Sequence, residues 1–230
     1  MHNHYPYIQF LQKQQLHCLL VLFSVCMLSG GCFKSIPAKR IFYQNDFETE
    51  DTGHIQVWGA YGRIDSLKVV SYNGSKVLGR FNSNMVLLKC DTLPEHNILK
   101  IEFDLYIHGQ WEGDHLQPGS SIPDAWVMKV NDYTVYLTTF SNGPYTQSFP
   151  DNYSPSVSKN PPRSNAWATL PGVCASAAQP DGTSYYRIEF TTSHQGPFEL
   201  SLNDVVQPQN SQCLKSWSID NVRLTAIDYK

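Results

Sequence analysis

The sequence predicts an all-β protein, a two-sheet antiparallel jelly-roll sandwich interrupted by one long proline-rich loop. Three observations carry this. Past residue 32 the dominant hydrophobic period is two, turn dipeptides punctuate the chain at short intervals, and no window sustains the 3.6-residue period of an amphipathic helix. The clearest segment sets Leu99, Ile101, Phe103, Leu105 and Ile107 against Lys100, Glu102, Asp104, Tyr106 and His108. Such alternation makes a strand with one buried and one wetter face.

Residues 16–28 form an apolar run with Lys13 and no acidic residue before it. The run is shorter than the roughly 20 residues that span a bilayer, and it stands where the apolar region of a secretory signal stands. Ser29-Gly30-Gly31-Cys32 follows and resembles a bacterial lipoprotein cleavage box. The expectation is a signal peptide over 1–31, a lipidated Cys32, a tether over 32–41 and a sandwich over 42–228. Acyl chains on Cys32 would then hold the domain at the cell envelope, at about 0.8 kcal/mol per buried methylene.

Strands are predicted at 41–47, 56–61, 67–72, 76–81 and 85–90, then over the long segment through 99–107. Further strands follow around Trp126-Met128-Val130, Val135-Leu137, Tyr186-Ile188-Phe190 and Phe198-Leu200-Leu202, with a closing strand from Trp217. Asn73-Gly74, Asn131-Asp132 and Asn203-Asp204 read as hairpin turns. Trp126 and Trp217 fall on core positions of this pattern.

Between residues 141 and 184 the alternation stops. Seven of the 14 prolines fall there: Pro144, Pro150, Pro155, Pro161, Pro162, Pro171 and Pro180. Tyr145, Phe149, Tyr153 and Trp167 argue against a plain linker, because such linkers are poor in aromatics. The segment reads as a long loop packed over a face or an edge of the sandwich, where it either lines a groove or covers apolar surface.

Of six cysteines, Cys18 and Cys26 lie in the signal. Cys174 and Cys213 sit in turn-like sequence and are the expected disulfide, while Cys90 alternates with Val86 and Leu88 as an inward-facing thiol. Without lipid on Cys32, a Cys32–Cys90 bridge is the alternative. The chain holds 17 basic and 20 acidic residues and no basic stripe, which argues against a nucleic-acid partner. Aromatics make up 13% of the chain, a content that suits either sugar recognition or simply β-structure. There is no Cys-x-x-Cys pair, no Gly-x-Ser-x-Gly and no phosphate-cradling glycine loop.

Ser216-Trp217-Ser218-Ile219-Asp220-Asn221-Val222 resembles the last strand of a family of secreted bacterial β-sandwich domains of concanavalin-like or jelly-roll fold, akin to carbohydrate-binding modules. Asp104-Leu105-Tyr106 with Trp111-Glu112-Gly113, Pro123-Asp124, Thr138-Thr139-Phe140-Ser141-Asn142 and Gln147-Ser148-Phe149-Pro150 are similar to its other segments, in order. The resemblance implies a surface or binding role. In related carbohydrate-binding sandwiches an acid of the first strand and one of the last share a structural calcium, which here implies Glu48, Asp220 and Asn221 as ligands. These residues read equally as solvated strand-end acids. Glu112, Asp114 and Asp124 form a second acidic cluster that reads as solvated loop acids or as contacts to a cation or hydroxyls.

Glu102-Phe103-Asp104 resembles the start of the Glu-x-Asp-x-x-Glu strand of laminarinase-type glycoside hydrolases, but Ile107 stands at the third position. Retaining hydrolysis needs two carboxylates about 5–5.5 Å apart. The expectation is therefore a non-catalytic, envelope-anchored sandwich that binds a polysaccharide or another cell-surface ligand. Trp111, Tyr145, Tyr153 and Trp167 would stack on sugar faces, with Asp124 among the polar contacts. A hydrolase or lyase on the same scaffold and a structural or adhesive envelope subunit are the alternatives.

Overall fold

The computed structural model describes residues 37–64, 68–156, 159–207 and 211–229. The expected signal peptide and Cys32 lie outside the described residues. Thirteen strands and one short 3₁₀ turn are described: β1 Ala38–Asn45, β2 Ile55–Gly59, β3 Gly62–Ile64, β4 Val69–Tyr72, β5 Ser75–Phe81, β6 Met85–Cys90, β7 Ile98–Gly109, β8 Ala125–Val130, β9 Tyr133–Thr138, β10 Ala168–Leu170, β11 Thr183–Ser193, β12 Phe198–Val205 and β13 Lys215–Asp228. One antiparallel sheet runs β10-β11-β7-β13-β5-β4, with β1 on the far half of β13. The other runs β3-β2-β6-β12-β8-β9. This is the two-sheet sandwich that the alternation predicts.

The inward residues of both sheets meet in one core. Trp126 of β8 packs edge-on to Trp217 of β13 (ring centroids 6.3 Å apart) and tilted against Phe103 of β7. All three rings are buried, together with Leu99, Ile101, Leu105 and Ile107. Truncating one such tryptophan costs about 3–5 kcal/mol. Cys90 points into this core as a free, buried thiol.

Two of the expected turns close hairpins. Asn73-Gly74 joins β4 to β5 and Asn131-Asp132 joins β8 to β9, each with both central residues at positive φ. That conformation matches the twist of the flanking strands, and Asn, Asp and Gly enter it most easily. Asn203-Asp204 is not a turn but lies inside β12. Asp204 is tolerated at a buried position because its carboxylate accepts from Trp217 Nε1 (2.7 Å) and from the Ser83 amide (2.7 Å). Strand β1 starts at Ala38, inside the segment read as a tether, because its backbone pairs with the end of β13 from Ala38↔Asp228 onward.

The 141–184 segment is pinned by side chains more than by strand pairing. Buried Gln147 accepts from the amides of Ser141 (3.1 Å) and Arg163 (2.8 Å) and donates to the carbonyls of Phe149 and Ser164. Asn152 accepts from the Leu137 amide (2.8 Å), and Tyr153 N donates to the Leu137 carbonyl, so this loop covers the open edge of β9. Farther on it forms β10, which pairs with β11, and a 3₁₀ turn at Cys174–Ser176. Cys174 and Cys213 are joined by a disulfide with a Cα–Cα distance of 5.0 Å.

Candidate functional site

The outward residues of the seven-stranded sheet form a patterned face because three long strands run side by side in register. Across β11, β7 and β13 the rows are Glu189–Glu102–Arg223, Arg187–Asp104–Asp220 and Tyr185–Tyr106–Ser218. From Glu102 to His108 the face runs six residues along β7, about 20 Å at 3.3 Å per residue. Asn221 at positive φ belongs to a bulge in β13 that turns its side chain onto this face, where its amide donates to Asp104 (2.8 Å).

Aromatic rings crowd the middle of the face. Tyr106 and Tyr185 stack with centroids 5.1 Å apart, and Tyr72 of β4 meets Tyr106 edge-on. Beside them lies Trp167, whose amide donates to the Tyr185 carbonyl (2.7 Å) and whose ring is 65% exposed. The Arg187 guanidinium sits 4.1 Å from the Trp167 ring centroid and donates through Nε to the Tyr185 hydroxyl, which in turn donates to Asp104 (2.8 Å). Cation–π contact of this kind contributes about 0.5–1 kcal/mol at exposed sites and so favours this placement of the ring. A groove of about 560 Å³ adjoins them, lined by Glu102, Asp104, Arg187, Glu189, Asn221 and Arg223 among others.

The electrostatics of the face follow from burial. Asp220 is buried, and desolvation, with help from the charges of Asp104 and Glu48, pushes its pKa up to about 6. Burial likewise raises the Tyr106 phenol well above its ordinary value. His108 lies fully buried, and burial with the nearby Arg80 charge lowers its pKa to about 3. Thr183 spends its hydroxyl proton on the Pro171 carbonyl (3.1 Å) and so accepts from His108 Nδ1–H (3.0 Å), leaving Nε2 to accept from Ser218 (3.0 Å).

The expected sugar-stacking rings do not come together. Trp111 is a correction: it is fully buried, and its Nε1 donates to the Ser216 carbonyl (3.0 Å), so it is a core residue. Gly113 after it takes φ +60, and a Cβ there would run into the Thr146 carbonyl; this tight approach is what folds the 111–114 turn inward. Tyr145 stacks on His115 (4.1 Å) in a different loop, and half-buried Tyr153 lies against β9 of the other sheet. Only Trp167 lies on the tyrosine-rich face.

Asp124 is a second correction. It is buried, its Oδ2 pairs with equally buried Lys215 (2.5 Å), and its Oδ1 accepts from the Gln207 amide (2.8 Å). It holds the start of β8 to the start of β13 and presents no oxygen to a ligand.

Glu48 and Asp220 meet at one hydroxyl: Ser75 Oγ lies 2.6 Å from Glu48 Oε1 and 3.3 Å from Asp220 Oδ2. Glu48 also accepts from the Lys76 amide, and Asn221 turns its amide nitrogen toward Asp104. Among the described residues no three His, Cys, Asp or Glu side chains gather into a set able to hold a metal ion. A cation entering between Glu48 and Asp220 would have to displace the Ser75 proton. Ile107 is buried on the inward side of β7 and brings no carboxylate to Glu102 and Asp104. Glu102 is instead ion-paired with Lys100 (2.9 Å).

No protein-family model and no curated protein matches this sequence. Among solved structures, a family 35 carbohydrate-binding module from Clostridium thermocellum is similar at 12% identity and a TM-score of 0.35, over 81% of this chain and 97% of the module. The C-terminal family 6 module of a marine laminarinase from Zobellia galactanivorans is similar at 10% identity and a TM-score of 0.29, over 83% and 99%. The K2 cleaved adhesin domain of Lys-gingipain is similar at 14% identity and a TM-score of 0.35, over 81% and 97%. The functional reading of this chain therefore rests on its own residues.

Alternation alone missed Tyr106, Tyr185 and Arg187 as site residues. The signal was present in Tyr185-x-Arg187-x-Glu189, which repeats the polar-aromatic outward pattern of residues 100–108. What was not visible is the register that sets the two segments side by side.

Proposed function

We propose that the outer face of the seven-stranded sheet binds a carbohydrate, on a protein exported to the cell envelope and tethered there through lipid on Cys32. The observation that carries the reading is Trp167: a large side chain left in water, in cation–π contact with Arg187 beside a groove of charged and amide side chains. An exposed tryptophan forgoes the roughly 1.5–3 kcal/mol that burying a large apolar side chain contributes, and it is retained here against Arg187. A sugar ring offers what this arrangement fits, an apolar C–H face for stacking and a rim of hydroxyls. Asp104, Glu102 and Asn221 would accept from or donate to those hydroxyls, and the Arg187 nitrogens not spent on Tyr185 would donate. No step of bond cleavage is part of the proposal.

The test is a glycan array and calorimetry on residues 33–230, with Trp167→Ala and Arg187→Ala beside the parent. Loss of binding by at least tenfold in Trp167→Ala, with an unchanged melting temperature, supports the reading. An empty array for the parent overturns it. A structural calcium between Glu48 and Asp220 belongs to the same proposal. Its check is a melting temperature that rises with millimolar calcium and falls with EDTA, an effect that Glu48→Gln should remove. Mass spectrometry of the mature N-terminus tests the lipid.

A further inference from the structure

The same face holds a second recess at its His108 end, a cavity of about 230 Å³ lined by Val70, Ser71, Tyr72, Arg80, His108 and Val173, with the disulfide sulfur of Cys174 in its wall. The recess exists because β5 bulges against β13: Gly79 pairs with Ser218 and Phe81 with Trp217, so Arg80 between them is left out of the ladder. Its walls are rigid. The Tyr72 hydroxyl donates to the Pro171 carbonyl (2.6 Å), and its ring stands edge-on to His108 at 4.8 Å.

Charge in this recess has one sign. No acidic residue lines it, and His108 is buried and bonded in its neutral form. Among the described residues that line it, Arg80 carries the only formal charge. Its Nη1 lies 2.7 Å from Cys174 Sγ, a weak acceptor, and among the described residues no carboxylate forms an ion pair with it. A guanidinium has five N–H donors and matches a carboxylate in bidentate fashion. Among the described residues most of those donors have no acceptor, and the Tyr72 ring stands beside them in the recess. The neighbouring groove, by contrast, mixes Glu102, Asp104 and Glu189 with Arg187 and Arg223.

We infer that this recess takes the carboxylate of an acidic saccharide, a uronate unit at one end of the bound glycan. The carboxylate meets Arg80 while the sugar ring lies against Tyr72. The inference rests on the carbohydrate reading above but uses different residues, so the two can fail separately. A glycan with an acid group at one end and neutral units along the groove fits both parts.

The experiment is a titration of the Arg80 Nε–Hε signal by NMR, assigned by its loss in Arg80→Gln, with D-galacturonate, D-galactose and acetate as separate probes. Galacturonate should shift the signal at least tenfold more tightly than either galactose or acetate, and galacturonate binding measured by calorimetry should weaken in Arg80→Lys, which keeps charge but loses the fork. Equal responses to acetate and galacturonate, or no response to galacturonate, overturn the inference. Arg80→Gln should also abolish any preference for acidic over neutral oligosaccharides while leaving the Trp167-dependent binding in place. An empty array of neutral glycans with a clear galacturonate response overturns the groove and leaves the recess standing; the opposite pair of results does the reverse.

Discussion

Acidification should weaken this fold through His108 in a way that can be isolated. In the folded protein the ring is buried, hydrogen-bonded at both nitrogens and held to a pKa of about 3, against an ordinary value of 6.5. Between those two values the unfolded chain binds a proton that the folded chain refuses, so stability is full above about pH 6.5 and is lost as pH falls toward 3. At 1.36 kcal/mol per pH unit, the loss between pH 6.5 and pH 4 is on the order of 3 kcal/mol. Asp220 acts in the opposite sense, since its raised pKa of about 6 means that the folded state gains a proton first as pH falls. The burial of His194 lowers its pKa and adds to the His108 effect. A single pH profile would therefore mix these groups with others, among them Asp204, whose pKa burial also raises. The difference between the parent and His108→Gln removes the rest, because they are common to both. The assay is urea unfolding followed by tryptophan fluorescence at half-unit steps from pH 7 to pH 4. The variant should be less stable at pH 7 but should lose about 3 kcal/mol less across that range. Parallel profiles for the two proteins would refute the assignment of His108 as a neutral buried base.

Two further outcomes follow from buried pairs and cross-links. Asp124→Ala leaves the Lys215 ammonium buried without its partner, and breaking such a pair should cost about 3–5 kcal/mol in urea unfolding, with Lys215→Met in the same background recovering part of the loss. Replacing Cys174 and Cys213 together by serine opens a loop of 39 residues, for which the chain-entropy estimate is about 4 kcal/mol, read as a matching drop in stability between the oxidised parent and the variant.

How far the sequence carries depends on the range of the interaction concerned. Strand existence and face are local properties, so the inward set 99–107 and the hairpins at Asn73-Gly74 and Asn131-Asp132 were legible from spacing and turn chemistry. Asn203-Asp204 misled because the acceptor role of Asp204 toward Trp217 and Ser83 depends on residues far away in sequence. The 141–184 segment looked structureless because its order comes from amide side chains such as Gln147 and Asn152 bonding to backbone, which leaves no period to read. Trp111 and Asp124 were offered to a ligand on residue type alone. Burial decided otherwise in both cases, and burial of a loop residue depends on where the loop folds back.

A sandwich has two outer faces, and spacing cannot say which one works. On the six-stranded sheet the outward row is Trp58–Met85–Asn203–Val127–Leu137, each residue opposite the next in register. It is largely apolar, with Asn203 as its one amide, and Trp58 is 37% exposed. Such a row has area to stack on, and its polar neighbours are Arg63, opposite Trp58, and the next row, Gln56–Leu87–Ser201–Lys129; burying unpaired hydroxyls costs about 1–3 kcal/mol each. The opposite face sets Trp167 and the tyrosines among Asp104, Arg187, Asn221 and Glu102, which puts rings and hydrogen-bonding groups side by side. The proposed reading places glycan binding on the seven-stranded face. The comparison of Trp58→Ala with Trp167→Ala decides between the two faces: binding should survive the first and fail in the second. The reverse result would move the site to the six-stranded sheet and leave Arg80, Tyr185 and Arg187 without a ligand.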